Sequence, residues 1–185
     1  LEGISGGNAV FSQDKLDWFN QQHIMRLPLV DLAERVQPVL AEHGLWRESY
    51  VSGDAAWFLR VLALLQPRAK KLGQFADDGR PFFADRVTYD ETAIDKYLRV
   101  PGMRGHLLAL RSRFAEAHAF DQQSSEILLK SAAESAGLKP AVLIHATRVA
   151  VTGRSVSPGL YEVMEPLGQA RVCERLAAAS MRASE

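Results

Sequence analysis

Apolar residues recur every three or four positions through most of this chain, and this spacing limits the fold more than any other feature of the sequence. On an α-helix such residues share one face, whereas a half-buried strand needs an apolar residue at every second position. Convincing alternation of that second kind is found in none of the segments. The sequence therefore predicts an all-α fold, and a sheet of three or more strands would contradict this prediction.

Caps and breakers divide the helical pattern into segments. Ser12, with Asp14 in the first turn, predicts the start of the first helix, because a side-chain oxygen there can accept a bond from an unpaired backbone amide. Gly44 predicts the end of the second helix and Pro67 the end of the third, since proline has no amide donor. Four helical segments predicted in this way are 11–26, 30–43, 121–136 and 138–151. Two more are a segment that runs from residue 55 to Pro67 and a segment that begins after the Pro-Gly pair at 101–102.

Local signals between and after these segments predict the remaining boundaries. The Asp-Asp-Gly-Arg-Pro run at 77–81 predicts a turn, and Thr-Tyr-Asp-Glu at 88–91 predicts a capping box at the start of a helix. Ser157 and Pro158 predict the cap and the first residue of a single last helix. We therefore expect two small helical subdomains, residues 1–86 and 87–185, arranged as a helical bundle or cage.

The balance of charge limits the partners that this chain can attract. Lys plus Arg number 22 and Asp plus Glu number 22, so a polyanion must be bound by a local basic patch. Cys173 is the single cysteine, which excludes an intrachain disulfide and predicts a packed thiol. No apolar run approaches the roughly 20 residues that span a bilayer, and a signal-peptide pattern is missing. We expect a cytoplasmic location and, without an initiator Met, interpret the chain as a piece of a longer protein.

Sequence motifs that would carry catalysis are missing. The chain has no phosphate-binding Gly-Lys loop, His-Glu-x-x-His motif, Gly-x-Ser-x-Gly motif or dinucleotide fingerprint. Its five histidines are scattered without ligand spacing, and Glu162 and Glu165 have the spacing of a solvated helix face. We therefore expect no catalytic residue and no metal ion in this segment.

Three groups of basic residues are the clearest sign of a binding surface. Arg60, Arg68 and Lys71 would lie within about 80° of one another on a continuous helix. Arg148 and Arg154 flank a short turn. The members of a third group are Arg99, Arg104, Arg111 and Arg113. Such arginines suit RNA phosphates and base edges, but solvated helix faces explain them as well, so both interpretations stay open at this point.

Four short motifs also occur in order along the chain. They are Lys-Leu-Asp-Trp-Phe-Asn at 15–20, Pro-Arg-Ala-Lys-Lys-Leu at 67–72, Arg-Val-Ala-Val-Thr-Gly at 148–153 with Ser-Pro-Gly-Leu at 157–160, and Leu-Gly at 167–168 with Arg-Leu at 175–176. Together they resemble the anticodon-binding region of the bacterial-type glutamyl-tRNA synthetase (glutamate–tRNA ligase) family. The resemblance covers nearly the whole chain, and its specificity comes from the order and spacing of the motifs.

The resemblance implies an all-helical module that binds tRNA(Glu) through its anticodon as part of a class I aminoacyl-tRNA synthetase. In that family a separate catalytic half activates glutamate with ATP and magnesium, and its motifs are missing from this sequence. The segment itself is thus expected to be non-catalytic, to carry no cofactor, and to act as a monomer joined to an N-terminal catalytic domain.

The resemblance also implies roles for individual residues. Arg68 matches an arginine that reads the third anticodon base, although a shift in alignment would put Gln66 in its place. Arg148 matches an arginine near the first anticodon base, and Lys130 occupies the place of a basic residue that contacts the RNA backbone. The loop that packs around the anticodon bases is matched by Ser157, Pro158 and Leu160.

Two rival functions remain from the sequence. One is a helical scaffold that binds another protein without RNA; basic groups scattered over several faces would favour it. The other is a paralogous transferase that glutamylates a tRNA base, which the presence of this anticodon-binding region argues against. Trp18 is expected in the core, because it lies on an apolar helical face.

Overall fold

The computed structural model of the chain describes residues 12–185 and confirms the all-α prediction, since these residues form helices and no strand. None of the helices within residues 12–185 is long and apolar enough to cross a membrane. Two short 3₁₀ turns, Glu48–Val51 and Gln66–Arg68, lie on either side of the third helix. The described part of the chain contains ten α-helices: α1 (Gln13–Arg26), α2 (Leu29–Glu42), α3 (Ala55–Leu65), α4 (Gln74–Phe83), α5 (Glu91–Tyr97), α6 (Met103–Ala115), α7 (Gln122–Ser135), α8 (Pro140–Thr152), α9 (Leu160–Leu167) and α10 (Gln169–Ser180).

Several predicted boundaries are confirmed together with their causes. The Ser12 side chain accepts a bond from the Lys15 amide at the start of α1, and the Asp121 carboxylate accepts one from the Ser124 amide at the start of α7. The predicted start at residue 11 lies outside the described residues. α3 ends ahead of Pro67 and continues only as the 3₁₀ turn.

The predicted turn at 77–81 is wrong, because these residues form the middle of α4. The helix buries Phe75, Gly79 and Phe82 against the core, and this packing outweighs the local turn signal. A Cβ added at Gly79 would lie 2.5 Å from the Phe83 ring, so the glycine allows close packing within the helix and makes no turn.

The capping predictions around the last two-thirds of the chain also need correction. α5 is capped by Asp90, whose carboxylate accepts a 2.8 Å bond from the Thr92 amide, and not by Thr88. The single last helix is in fact α9 and α10, separated at Gly168 with a φ of 80°. The cap of α9 is Gly159 and not Ser157, because the Ser157 hydroxyl accepts a bond from Arg148.

The helices pack in two groups. α1 to α4 lie together in the first group. In the second group α6, α8 and α9 pack on α10, with α6 making the most extensive contact, while α5 and α7 pack on α8. α3 and α9 join the groups, and the Trp57 indole donates a 2.6 Å bond to the Pro166 carbonyl across this junction. A continuous set of buried apolar side chains extends through both groups. The boundary between two subdomains at residue 86 stays a prediction; it falls between α4 and α5.

Two arginines of α10 fix the ends of the helices that carry the candidate site. Arg175 is 5% exposed and donates to the Val151 carbonyl (2.6 Å) near the end of α8 and to the Pro81 carbonyl (2.5 Å) near the end of α4. Arg171 donates to the carbonyls of Phe82 and Ala84. These carbonyls lack partners within their own helices, and a guanidinium with several donors in one plane can bind two of them at once.

Two further expectations concern single side chains. Cys173 is buried as predicted, and burial raises the pKa of its thiol, which keeps it protonated. The prediction that Trp18 lies in the core is wrong. Trp18 and Phe19 are each 54% exposed and pack edge to face on each other, because α1 lies only along the margin of the first group.

Candidate functional site

The loop between α8 and α9 forms a wall of two adjoining cavities. The first cavity, about 250 Å³, is lined by Arg68, Gln74, Ser157 and Pro158 among others. The second cavity, about 650 Å³, continues from it beyond Arg154 and is lined by the segment between α4 and α5. Asp78, Pro81, Thr152, Arg154 and Val156 contribute to both cavities. Residues distant in sequence thus form one continuous recess.

Thr152 and Gly153 give the loop its shape. The Thr152 hydroxyl donates to the Arg148 carbonyl (2.7 Å) and accepts from the Arg154 amide (3.2 Å), which folds the chain back after α8. Gly153 has a φ of 76°, a left-handed conformation that glycine adopts without strain. Its carbonyl accepts a 2.9 Å bond from the Asp90 amide, so this turn holds the second cavity's opposite wall in place.

Arg148 supports the loop from behind. Its guanidinium donates to the Ser157 hydroxyl (2.5 Å) and to the Pro158 carbonyl (2.8 Å), and burial lowers its pKa. Arg148 is not among the residues that line the two cavities. In this structure, therefore, its donors hold the Ser157–Pro158 peptide and do not point into the open recess.

Replacing Arg148 with methionine should loosen this loop. Methionine has a similar length but no donors, so the Pro158 carbonyl and the Ser157 hydroxyl lose their bonds, at a cost of about 1–3 kcal/mol in unfolding free energy. Hydrogen exchange should quicken at the amides of 154–157 and 159 and remain unchanged in α2. Unchanged exchange in the loop would show that the bonds from Arg148 do not order it.

Arg68 lies on the opposite side of the first cavity from the loop. It is the last residue of the 3₁₀ turn Gln66–Arg68, which α1 holds in place, because the Gln21 amide group donates to the Pro67 carbonyl at 2.9 Å. The Arg68 side chain donates to the Leu64 carbonyl at 3.3 Å and lies 3.9 Å from the Glu162 carboxylate. These contacts are long and solvent-exposed, so the guanidinium can exchange them for a ligand at little cost.

The side chain of Gln66 is occupied elsewhere. It donates to the carbonyls of Ile24 and Leu27, both at 2.9 Å, where it caps the end of α1. Gln66 does not line either cavity, whereas Arg68 lines the first. The geometry therefore favours Arg68 over the alternative Gln66 as the side chain that meets a ligand here.

The other residues chosen from the sequence lie in different surroundings. Pro158 is buried at the base of the first cavity, and Leu160 is 3% exposed as the first residue of α9, where it belongs to the core. Lys130 lies on the exposed face of α7, 2.7 Å from the Glu126 carboxylate, and lines neither cavity. The structure thus brings Arg68, Ser157 and Pro158 together, places Arg148 behind them, and leaves Lys130 and Leu160 outside the recess.

Three of the four arginines in the third basic group predicted from the sequence bond to neighbouring side chains. Arg99 pairs with Asp95 and Glu91, and Arg104 pairs with Glu185. Arg113 donates to the hydroxyls of Ser131 and Ser135. In the first group, α3 ends before Arg68, so Arg60 and Arg68 do not share one continuous helix.

Gln74 and Val156 are among the residues of the recess that sequence reasoning missed. The Gln74 side-chain oxygen accepts bonds from the Lys70 (2.6 Å) and Lys71 (3.1 Å) amides and so shapes the floor of the first cavity. Val156 is 81% exposed at the edge of both cavities. A branched apolar residue within a polar turn was a usable signal for Val156, since solvent alone does not favour it. For Gln74 the sequence held no signal.

Comparison with known proteins places this recess in a familiar setting. Residues 31–180 match the family described as the anticodon binding domain. The chain belongs to the anticodon-binding domain family. Both cavities and the loop from Gly153 to Gly159 lie within the matched residues.

Similar proteins are glutamate–tRNA ligases. The chain is 39% identical over 176 residues to glutamate–tRNA ligase 2 of Koribacter versatilis, a match that covers 95% of this chain and 36% of the relative. It is 34% identical to the glutamate–tRNA ligase of Moorella thermoacetica, with the same coverage. The chain thus spans little more than a third of the length of these relatives.

The fold of this domain is also found in solved structures. A glutamate tRNA ligase from Elizabethkingia meningosepticum superposes with a TM-score of 0.79 at 23% identity, over 92% of this chain and 32% of that one. The glutamate–tRNA synthetase of Elizabethkingia anophelis gives a TM-score of 0.73 at 22% identity. At these identities the likeness concerns the fold alone.

Proposed function

We propose that this chain recognises the anticodon of tRNA(Glu) as the anticodon-binding domain of a glutamate–tRNA ligase. The observation that carries the proposal is the recess in which Arg68 faces the Ser157–Pro158 loop, in a domain of the anticodon-binding family. Ligation of glutamate, with ATP and magnesium, would belong to a part of the protein beyond these residues. The chain's own contribution is selection of the RNA.

The chemistry of the first cavity suits one unstacked base. A volume of about 250 Å³ exceeds that of a nucleobase, and Pro158 and Val156 supply apolar surface for its faces. Arg68 supplies hydrogen-bond donors at the rim of the cavity. The Ser157 hydroxyl already donates to the Pro158 carbonyl, so it contributes little to recognition of the base. Base identity would therefore be read mainly by the guanidinium of Arg68.

The arginine distinguishes cytosine from guanine by hydrogen-bond polarity. Glutamate anticodons end in C, whose Watson–Crick edge offers two adjacent acceptors, O2 and N3. Glutamine anticodons end in G, which presents N–H donors on the same edge. Arginine has donors only, so it binds the first edge and is repelled by the second.

Replacing Arg68 with glutamine should narrow this preference. A bidentate arginine contact is worth about 1–3 kcal/mol of discrimination by analogy with groove recognition, whereas glutamine has a donor and an acceptor and tolerates either base. The measurement is a titration of this chain and of the variant with two labelled anticodon stem-loops that differ only in the third anticodon base. The ratio of the two Kd values should fall toward one, mainly because the stem-loop ending in G binds better.

Arg35→Gln is the matched control, because Arg35 is an exposed arginine on α2 outside the cavities. An unchanged ratio in Arg68→Gln would show that another residue reads this base. If the unaltered chain bound neither stem-loop better than an unrelated hairpin, the proposed function itself would be overturned.

A further inference from the structure

A third cavity, about 620 Å³, lies on the other side of the segment between α4 and α5. Arg86, Val87 and Tyr89 line both the second and the third cavity, so the recess does not end at the second one. Arg182 lies with its guanidinium carbon 5.0 Å from the centre of the Tyr89 ring on the far wall. A path lined by arginines therefore runs from Arg68 to Arg182.

The third cavity carries an excess of positive charge. Four arginines, Arg86, Arg171, Arg175 and Arg182, face two carboxylates, Asp85 and Glu174. The Asp85 carboxylate is 2.5 Å from the Arg47 guanidinium, which lies outside this cavity and neutralises it. The guanidiniums of Arg171 and Arg175 donate only to backbone carbonyls. Their charges are thus fixed in the wall without a carboxylate partner.

Charged side chains of both signs also line the second cavity. Asp78 is 3.1 Å from Arg154, so these two charges offset each other. The Asp90 carboxylate accepts bonds from the Thr92 amide and hydroxyl, which lowers the pKa of Asp90. Arg80 and Arg86 form none of the ion pairs or side-chain hydrogen bonds found in residues 12–185, and both line this cavity. The three arginines that line the second cavity thus outnumber its two carboxylates, and Arg80 and Arg86 are the two whose guanidiniums have no ion pair among residues 12–185.

We propose that Arg86 binds a phosphate of the RNA strand directly beside the anticodon, and that Arg182 binds the backbone further along the same strand. This inference rests on the proposed function, because it extends the path of the RNA whose base occupies the first cavity. Arg86 is exposed, projects from the segment that separates the two larger cavities, and has no competing carboxylate within 4.0 Å among the described residues.

The ligand class follows from the chemistry of these walls. A nucleic-acid backbone carries one negative charge per nucleotide and can satisfy guanidiniums spaced along a groove. The buried Arg175, fixed in the wall of the third cavity, adds a positive field that does not depend on side-chain mobility. Because phosphates carry no base identity, these arginines would strengthen binding of either anticodon and would not change the preference between them.

The test is a double-mutant cycle between Arg86 and single phosphates. The chain and its Arg86→Ala variant are titrated with an anticodon stem-loop and with a set of copies, each carrying one neutral methylphosphonate linkage in the loop. Loss of one charge-assisted contact should weaken binding about tenfold and lower the slope of log K against log salt by about one. Neutralising the one phosphate that Arg86 contacts should weaken RNA binding by the unaltered chain to the same degree. It should leave RNA binding by Arg86→Ala unchanged.

Arg182→Ala should couple to a different linkage, and Arg35→Ala serves as the exposed control that couples to none. The inference is overturned if Arg86→Ala binds within twofold of the unaltered chain, or if no single linkage accounts for its loss. If that result accompanies a retained preference for the anticodon ending in C, only the backbone path is wrong. If the unaltered chain binds the anticodon stem-loop no better than an unrelated hairpin, both this inference and the proposed function are overturned.

Discussion

Replacing Gly153 with alanine should lower the free energy of unfolding by about 3–5 kcal/mol, the largest effect we expect from any single methyl group in this chain. A Cβ at this position would lie 2.0 Å from the Thr88 carbonyl oxygen and 2.8 Å from a Val87 methyl group. Backbone atoms cannot move aside as a flexible side chain can. In addition, a φ of 76° is strained for any residue with a Cβ.

The Gly137→Ala variant separates the cost of the steric clash from the cost of the strained backbone. Gly137 also has a positive φ, 66°, but nothing lies within 4 Å of an added Cβ. Alanine there should cost only the backbone strain, about 1 kcal/mol. Urea unfolding followed by circular dichroism gives both values. Equal losses for the two variants would show that the contact between Gly153 and residues 87–88 is not tight in solution.

The Gly153 variant should also affect the recess. The Gly153 carbonyl holds the Asp90 amide, and the same turn positions Arg154 between the first and second cavities. A shift of this turn therefore moves both walls at once. We expect weaker binding of both anticodon stem-loops, with the preference between them changed less than in Arg68→Gln.

The helices of this protein could be predicted wherever a local cap and an apolar period agree. A cap at Ser12 and a breaker at Pro67 each coincide with the apolar period, and both boundaries are confirmed. At 77–81 the local turn signal gave a wrong prediction, because the burial of Phe75 and Phe82 holds the helix through a stretch with turn composition. The sequence predicts no helix over these residues, because the turn composition hides the apolar face that packing buries, and burial contributes more to stability than a local turn preference.

The recess was less predictable than the fold. The sequence singled out Arg68 and Ser157, but their meeting depends on the packing of α3 against α9, which the bond from Trp57 to Pro166 fixes over 109 residues of separation. Helical periodicity carries no information about such pairings. It also cannot tell a guanidinium that faces solvent from one that serves a carbonyl, and Arg148 is of the second kind.

Arg175 is the clearest example of an arginine that serves the fold, and replacing it should have the second large effect. In Arg175→Met the carbonyls of Val151 and Pro81 lose their donors within the core, where each unpaired group costs about 1–3 kcal/mol. The apolar stem of methionine recovers part of this loss by packing. We therefore expect a net decrease of about 3 kcal/mol in unfolding free energy, measured by urea denaturation.

Two further variants, Arg175→Lys and Arg182→Met, test whether the geometry of the Arg175 guanidinium or its charge stabilises the fold. Burial lowers the pKa of Arg175 to about 10, so the side chain keeps its charge at neutral pH. A lysine would keep the charge too, but one ammonium cannot span two carbonyls on different helices as a planar guanidinium does, so it should recover less than half of the stability. Arg182→Met removes an exposed arginine of the same cavity and should change stability by less than about 0.5 kcal/mol. Full stability in Arg175→Lys would mean that charge alone suffices, and that the ends of α4 and α8 are held together by other contacts.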